Sequence, residues 1–292
     1  MRSRGTGLVA TAAVLALSTT LVGSAAEACE RPRAQAPLTR VPDDVGTTTA
    51  AAPAPQARSL SAEPVVAAVR AVQPSATVGV LVWDSRTGET VLSANADLRF
   101  RSASVVKLLI AIAAAGDPAH AERVTGMLTT SDDDDASALW TLLGGDTLPS
   151  ATAAALGITG VSDPDIPGRW GNTLISPAAV AQVYRHLLVG LPGALAEMAR
   201  ATATAADGFD QSFGIPSAFG TWAVKQGWGN GSGFTAVHST GLVDDRYVVV
   251  LMTESPTAAT FSTNAAAVTA GARALAALLG ATAPVRPAAP AP

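Results

Sequence analysis

The chain has 292 residues and a formal net charge of −4 at pH 7, with its 19 basic residues scattered along it. That length accommodates one large domain or two small ones, and no basic stripe interleaved with aromatics exists, so no nucleic-acid partner is expected. The single cysteine, Cys29, excludes an internal disulfide scaffold.

Residues 1–28 read as a secretory signal peptide. Arg2 and Arg4 supply the positive region, residues 8–22 an apolar stretch short for a membrane span, and Ala26-Glu27-Ala28 a small-residue cleavage site. No membrane span is therefore expected in the mature chain. Cleavage before Cys29 would leave it first, as at the lipid anchor of a bacterial lipoprotein, although Ala26 and Glu27 differ from the residues usual there. The expected location is secreted or extracytoplasmic, with a cell-surface lipoprotein as the lipidated form. Residues 29–59 are rich in Pro, Ala and Thr and read as a disordered tether.

Residues 60–72 read as a first helix with Pro64 near its start. Residues 77–84 alternate and are rich in valine, 85–88 form a turn and 89–94 return, which predicts a hairpin. Helices are expected over 105–115, 119–128, 136–143 and 150–156, followed by loop to 171. Ser176 before Pro177 is a helix start, with a capping hydroxyl and proline at the first position. That helix is expected to run to about 189, with another over 193–205. Residues 221–225, 234–240 and 247–253 read as three late strands and 264–279 as a closing Ala-rich helix. Residues 281–292 form a Pro/Ala tail. The order predicts an α/β (α+β) domain over 60–280, built on an antiparallel five-stranded sheet flanked by helices.

Three stretches carry chemistry. Ser104-Val105-Val106-Lys107 holds one of only two lysines. On a helix, side chains three apart lie about 5–6 Å from each other at Cβ. A serine needs a neighbouring base to become a nucleophile, and a shielded lysine loses its proton near neutral pH and can supply one. A surface lysine at the edge of a core helix is the plain alternative. Ser131-Asp132-Asp133 opens a run of four aspartates beside an apolar segment. Helix capping explains such a run; so does a role for Ser131 and Asp133 in the Ser104 cleft. A calcium loop would need alternating ligands and a terminal glutamate, which the run lacks. Lys225-Gln226-Gly227-Trp228 ends a predicted strand. Its edge could bind an extended acyl substrate, with Gly227 permitting close backbone approach and Lys225 attracting a carboxylate; an ordinary Gly-rich hairpin is the alternative.

In order and context these stretches resemble the S-x-x-K, S-D-N and K-T-G motifs of the serine β-lactamases and penicillin-binding proteins, most closely class A. Asp84-Ser85-Arg86-Thr87-Gly88 is similar to the class A D-x-x-T-G turn, and Ser176-Pro177 lies in a segment similar to the T-T-T-P helix start. The resemblance implies a β-lactamase/transpeptidase-like fold with a reduced helical subdomain. It implies Ser104 as acylated nucleophile, Lys107 as proton acceptor and Ser131 as proton relay. Lys225 would hold the substrate carboxylate and position Ser131, with Asp133, Gln226 and Gly227 in the substrate site. The backbone N–H groups of Ser104 and Trp228 would form the oxyanion hole.

Three departures stand out. Asp133 replaces asparagine, so it accepts hydrogen bonds but cannot donate them, and its charge should favour protonated Lys107. Gln226 replaces threonine. The E-x-x-L-N omega-loop motif with its deacylating glutamate is missing, and Asp163 and Asp165 fit neither that motif nor its register. The short 107–131 segment predicts a more open cleft. The resemblance thus implies a serine hydrolase acting on a β-lactam, peptidoglycan peptide or small amide or ester. A catalytically silent binder of a cell-wall peptide, β-lactam or protein partner is the first alternative, and a D-alanyl-D-alanine peptidase the second. No cofactor or metal ion is implied, and a monomer is expected.

Overall fold

A computed structural model describes residues 59–281. The expected signal peptide, Cys29, all but the last residue of the tether and the tail from 282 onward lie outside the described residues. In chain order the domain contains α1 (Glu63–Val72), β1 (Thr77–Asp84), β2 (Thr90–Ala94) and β3 (Phe100–Arg101), then a 3-10 turn (Ala103–Val106) leading into α2 (Lys107–Ala114). Next come α3 (Ala121–Thr129), α4 (Asp133–Leu142), α5 (Leu148–Ala155), β4 (Val161–Pro164), β5 (Thr173–Ile175), α6 (Pro177–Gly190) and α7 (Pro192–Met198). The chain closes with β6 (Trp222–Gly231), β7 (Phe234–Val243), β8 (Tyr247–Ser255) and α8 (Phe261–Leu279).

The main sheet has five strands in the order β2-β1-β8-β7-β6, every neighbouring pair antiparallel. It is buried on both faces. Val78, Val80 and Val82 of β1, with Val249 and Leu251 of β8, join α1 and α8 in one core. The alternate residues Leu81, Val248, Val250 and Met252 join the helical subdomain in the other. The strand period of two makes this division, and each buried Val or Leu contributes roughly 1.5–3 kcal/mol. Helix α2 lies inside the second core, with Leu108, Leu109, Ile110 and Ala111 all buried.

Local sequence explains several joints. Ser176 Oγ accepts the Ala179 N–H and Pro177 opens α6. Asp84 at the end of β1 is buried; Arg246 in the β7–β8 turn donates to its Oδ2 at 2.6 and 3.0 Å, and its Oδ1 accepts the Arg86 N–H.

Three expectations change. The expected helix over 105–115 begins as a 3-10 turn, so Ser104 precedes α2 rather than standing within it. The helix expected over 193–205 stops at Met198, and residues 202–210 form a loop instead. The region read as loop contains β4, and β5 follows it in residues given no element; with β3 they form a three-stranded sheet in the order β3-β5-β4. Among the described residues no helix is long and apolar enough to cross a membrane.

Candidate active site

The turn that carries Ser104 is held from several sides. Ser102 N–H donates to Thr173 O at 2.8 Å, and Val105 N–H to Ser102 O at 3.0 Å. His238 Nδ1 accepts the Thr253 N–H, which leaves the proton on Nε2 to donate to Arg101 O at 2.7 Å. Burial pushes His238 down to about 4, so this tautomer stays neutral. Within the turn Ala103 has φ +45°, an uncommon left-handed conformation for a residue with a side chain, which the surrounding bonds hold in place. Gly227 of β6 makes room: a Cβ there would lie 3.1 Å from Ser102 O and Val105 Cγ2.

Lys107 Nζ lies 2.6 Å from Asp133 Oδ1, 2.7 Å from Ser131 O and 3.2 Å from Ser131 Oγ. Lys225 Nζ donates to the same Ser131 Oγ at 2.9 Å and to Gln226 O at 3.1 Å. Both lysines are almost wholly buried. Burial lowers the Lys107 pKa even though the Asp133 carboxylate opposes it. The expected effect of Asp133 is therefore present but outweighed by desolvation. Burial and then the neighbouring Lys107 charge hold Lys225 well below its ordinary value.

The four aspartates divide the work. Asp132 caps α4 through Oδ1, which accepts the Asp134 and Asp135 N–H groups. Asp133 turns to Lys107, and Asp135 pairs with Arg123. Ser131 has φ +56°, which turns its carbonyl and hydroxyl toward Lys107.

Strand β6 is the edge of the main sheet, alongside the turn that carries Ser104. Lys225 O accepts from Thr240 on β7, whereas Gln226 O faces the free side, where Lys225 Nζ reaches it. Strand alternation turns the Trp228 N–H to that same free side. The Trp228 indole stacks on Phe209 with centroids 4.9 Å apart and donates to Asp207 Oδ2 at 2.9 Å. The Gln226 side chain goes elsewhere, donating to Gln211 O and Phe213 O behind the strand.

Ser104, Lys107, Ser131 and Lys225 are each 4% exposed or less. The more open cleft expected from the shortened segment is thus covered at this point. Trp170 lies over Lys107, with Nζ 4.9 Å from the ring centroid. The loop that carries Trp170 is closed at its base, where Asp165 pairs with Arg101 at 2.7 Å and accepts from Asn172 Nδ2 at 2.7 Å. Asp165 is thereby engaged, and Asp163 has its buried Oδ1 without a partner. Ser104 Oγ forms no hydrogen bond among the described residues, which also bring no three His, Cys, Asp or Glu together to hold a metal ion.

Sequence reasoning did not find Trp170, His238, Arg101 and Glu254, whose carboxylate accepts the Arg101 N–H at 2.5 Å. Nor did it find Tyr184, whose buried hydroxyl meets Thr240 Oγ1 at 2.9 Å while Thr240 donates to Lys225 O. For His238 and Tyr184 the available signal was a polar residue inside an apolar run.

A model described as the beta-lactamase enzyme family matches residues 63–122, from α1 to the start of α3. A Mycobacterium tuberculosis protein named "Putative lipoprotein LppW" is 33% identical over 205 residues, covering 62% of this chain and 64% of its own length. The chain thus spans just under two thirds of that relative. A β-lactamase from Sphaerobacter thermophilus superposes with TM-score 0.58 at 21% identity, covering 75% of this chain and 97% of its own. A class A β-lactamase from Mycobacterium abscessus gives 0.59 at 20% identity, with 74% and 100% covered. The chain thus has the fold of the class A β-lactamases, and the segment matched by the beta-lactamase family model contains Ser104 and Lys107.

Proposed function

We propose that this protein is an exported serine hydrolase that forms an acyl-enzyme on Ser104 with a β-lactam, a peptidoglycan peptide or a small amide or ester. One observation carries the reading: two buried lysines, one of them three residues after Ser104, converge on the single hydroxyl of Ser131. Burying two amines side by side, with one largely exposed carboxylate as counter-charge, is unfavourable for the fold, and perturbed groups of this kind cluster at functional sites.

In this reading neutral Lys107 takes the Ser104 proton as Oγ adds to the carbonyl carbon. The Ser104 and Trp228 N–H groups receive the oxyanion. As the bond to the leaving nitrogen or oxygen breaks, Ser131 gives that atom its proton and regains one from Lys107. Lys225 holds Ser131 in place. Water then cleaves the ester and frees Ser104. With Asp165 tied to Arg101 and Asn172, no carboxylate is assigned to activate that water, so the acyl-enzyme is expected to be long-lived and release to lag behind a burst. The test is peptide mapping after exposure to a penicillin: an adduct on Ser104 supports the reading, and one that persists in Ser104→Ala rejects it.

A second reading, a silent binder of the same ligands, is favoured by one observation: Lys107 directs its contacts to Asp133 and Ser131, and Ser104 Oγ is not among its partners. Export with a lipid anchor at Cys29 is supported by the relative named as a lipoprotein. Intact mass of the exported chain checks it: an acylated Cys29 terminus is expected, and a chain still starting at Met1 contradicts it.

A further inference from the structure

A cavity of about 380 Å³ opens between the loop that carries Trp170 and the β6–β7 hairpin, with Ala103 of the turn that carries Ser104 in its lining. Arg169 and Trp170 line it on the loop side, Trp228, Asn230 and Phe234 on the hairpin side, and Asp133 beside Lys107.

Arg169 is the one cationic side chain of this lining. Its backbone is fixed: its N–H donates to Ile166 O at 3.2 Å, and its carbonyl accepts the Asn172 N–H at 2.9 Å. The preceding residue is pinned as well, because the Gly168 N–H donates to both oxygens of Asp146 at 2.8 and 3.0 Å. Yet among the described residues the Arg169 guanidinium makes no ion pair and no hydrogen bond, and the residue is exposed. The nearby Arg101 differs: it stacks on Phe234 from 4.3 Å but is taken up by Asp165 and Glu254.

The other cation that could receive an anion is spent. Lys225 is 1% exposed and gives its contacts to Ser131 and Gln226 O. Asp133, whose side chain is 63% exposed, repels any anion that approaches Lys107. An anionic ligand in this cavity therefore finds its favourable partner on the loop side.

We propose that Arg169 is the anion anchor of this cavity, and that the ligand carries a carboxylate gripped by its guanidinium rather than by Lys225. A planar guanidinium suits this, because it pairs with a carboxylate through two parallel N–H donors. The proposal rests on the acyl-enzyme reading only for its choice of β-lactam probe.

Benzylpenicillin and its methyl ester share the reactive ring and differ in the carboxylate. Equilibrium binding of each to Ser104→Ala, followed by the intrinsic tryptophan fluorescence to which Trp170 and Trp228 of the lining contribute, isolates recognition from chemistry. The free acid is expected to bind about tenfold more tightly or better, as for a charge-assisted pair. Adding Arg169→Gln should abolish the difference by weakening the acid alone, and Arg169→Lys should keep part of it. Thermal unfolding of Arg169→Gln should match the parent, since the side chain holds nothing. Equal binding of acid and ester, no binding of either, a preference that survives Arg169→Gln, or equal weakening of both would each overturn the proposal. An acid preference lost in Arg169→Gln, with no adduct on wild-type Ser104, would keep the anchor and reject the acyl-enzyme reading instead.

Discussion

Lys107 and Asp133 form an asymmetric pair: the lysine is completely buried, the carboxylate 63% exposed, and their charged atoms are 2.6 Å apart. Burial pulls the lysine toward its neutral form, while the carboxylate pulls it back toward the ammonium. The wet partner keeps its hydration and screens part of the attraction, so desolvation of the dry one wins.

Asp133→Asn should accelerate acylation of Ser104 at neutral pH. Removing the negative charge lowers the lysine pKa further and enlarges the neutral, base-competent fraction. One pKa unit corresponds to about 1.4 kcal/mol, a factor of about ten, so an increase of severalfold is expected, with the rise in rate moved to lower pH. Slower labelling than wild type would make Asp133 a working part of the site rather than a restraint.

His238 should make the domain acid-sensitive. Its pKa is about 4 in the fold against an ordinary 6.5. Above pH 6.5 it is neutral folded and unfolded, and its contribution is fully present. As pH falls from 6.5 to 4, the unfolded chain takes up a proton that the folded chain refuses, and stability is lost. The loss is roughly 3 kcal/mol at about 1.4 kcal/mol per unit. His238→Gln keeps a donor for Arg101 O and an acceptor for the Thr253 N–H without titrating. Its unfolding free energy, from denaturant titration, should fall less over this window, and parallel curves for the two proteins would contradict the assignment.

Gly227→Ala tests how closely β6 supports the turn that carries Ser104. The added methyl would stand 3.1 Å from Ser102 O and 3.3 Å from Val105 N, both backbone atoms. The turn must give way, at about 1–3 kcal/mol if it behaves like other overpacked sites. Acylation should slow more than unfolding alone explains, because Ala103 and Ser104 ride on that turn. Unchanged acylation with a lowered melting temperature would mean that the turn adapts freely.

The main sheet was legible because its strands alternate and are bounded by turn residues: β1 matches its expected limits, and α6 begins where Ser176 and Pro177 say it should. The small sheet was not, since strands of two to four residues show no period. The 3-10 turn was hidden for another reason. Alanine at 103 gives no sign of a positive φ, which is imposed by partners as distant as Thr173 and His238. Of the expected site residues, Lys107, Ser131, Asp133 and Lys225 do converge: the first three flank helix starts, whereas Lys225 lies inside β6 rather than at the strand end expected from the sequence. Gln226 turns behind β6, as strand alternation dictates for the neighbour of an inward-facing lysine. Trp170 escaped notice because its loop has no periodicity, although its ring covers Lys107.

The central claim is that Ser104 is acylated with neutral Lys107 as its base, and time-resolved intact mass with benzylpenicillin across pH tests it most directly. Wild type should gain one adduct, mapped to Ser104, at a rate that rises with pH as Lys107 loses its proton. Ser104→Ala should gain none, and Lys107→Ala should be slower by a factor of about a hundred or more, as expected for loss of a general base. An adduct that forms at the same rate in Lys107→Ala, or that survives Ser104→Ala, would contradict the account.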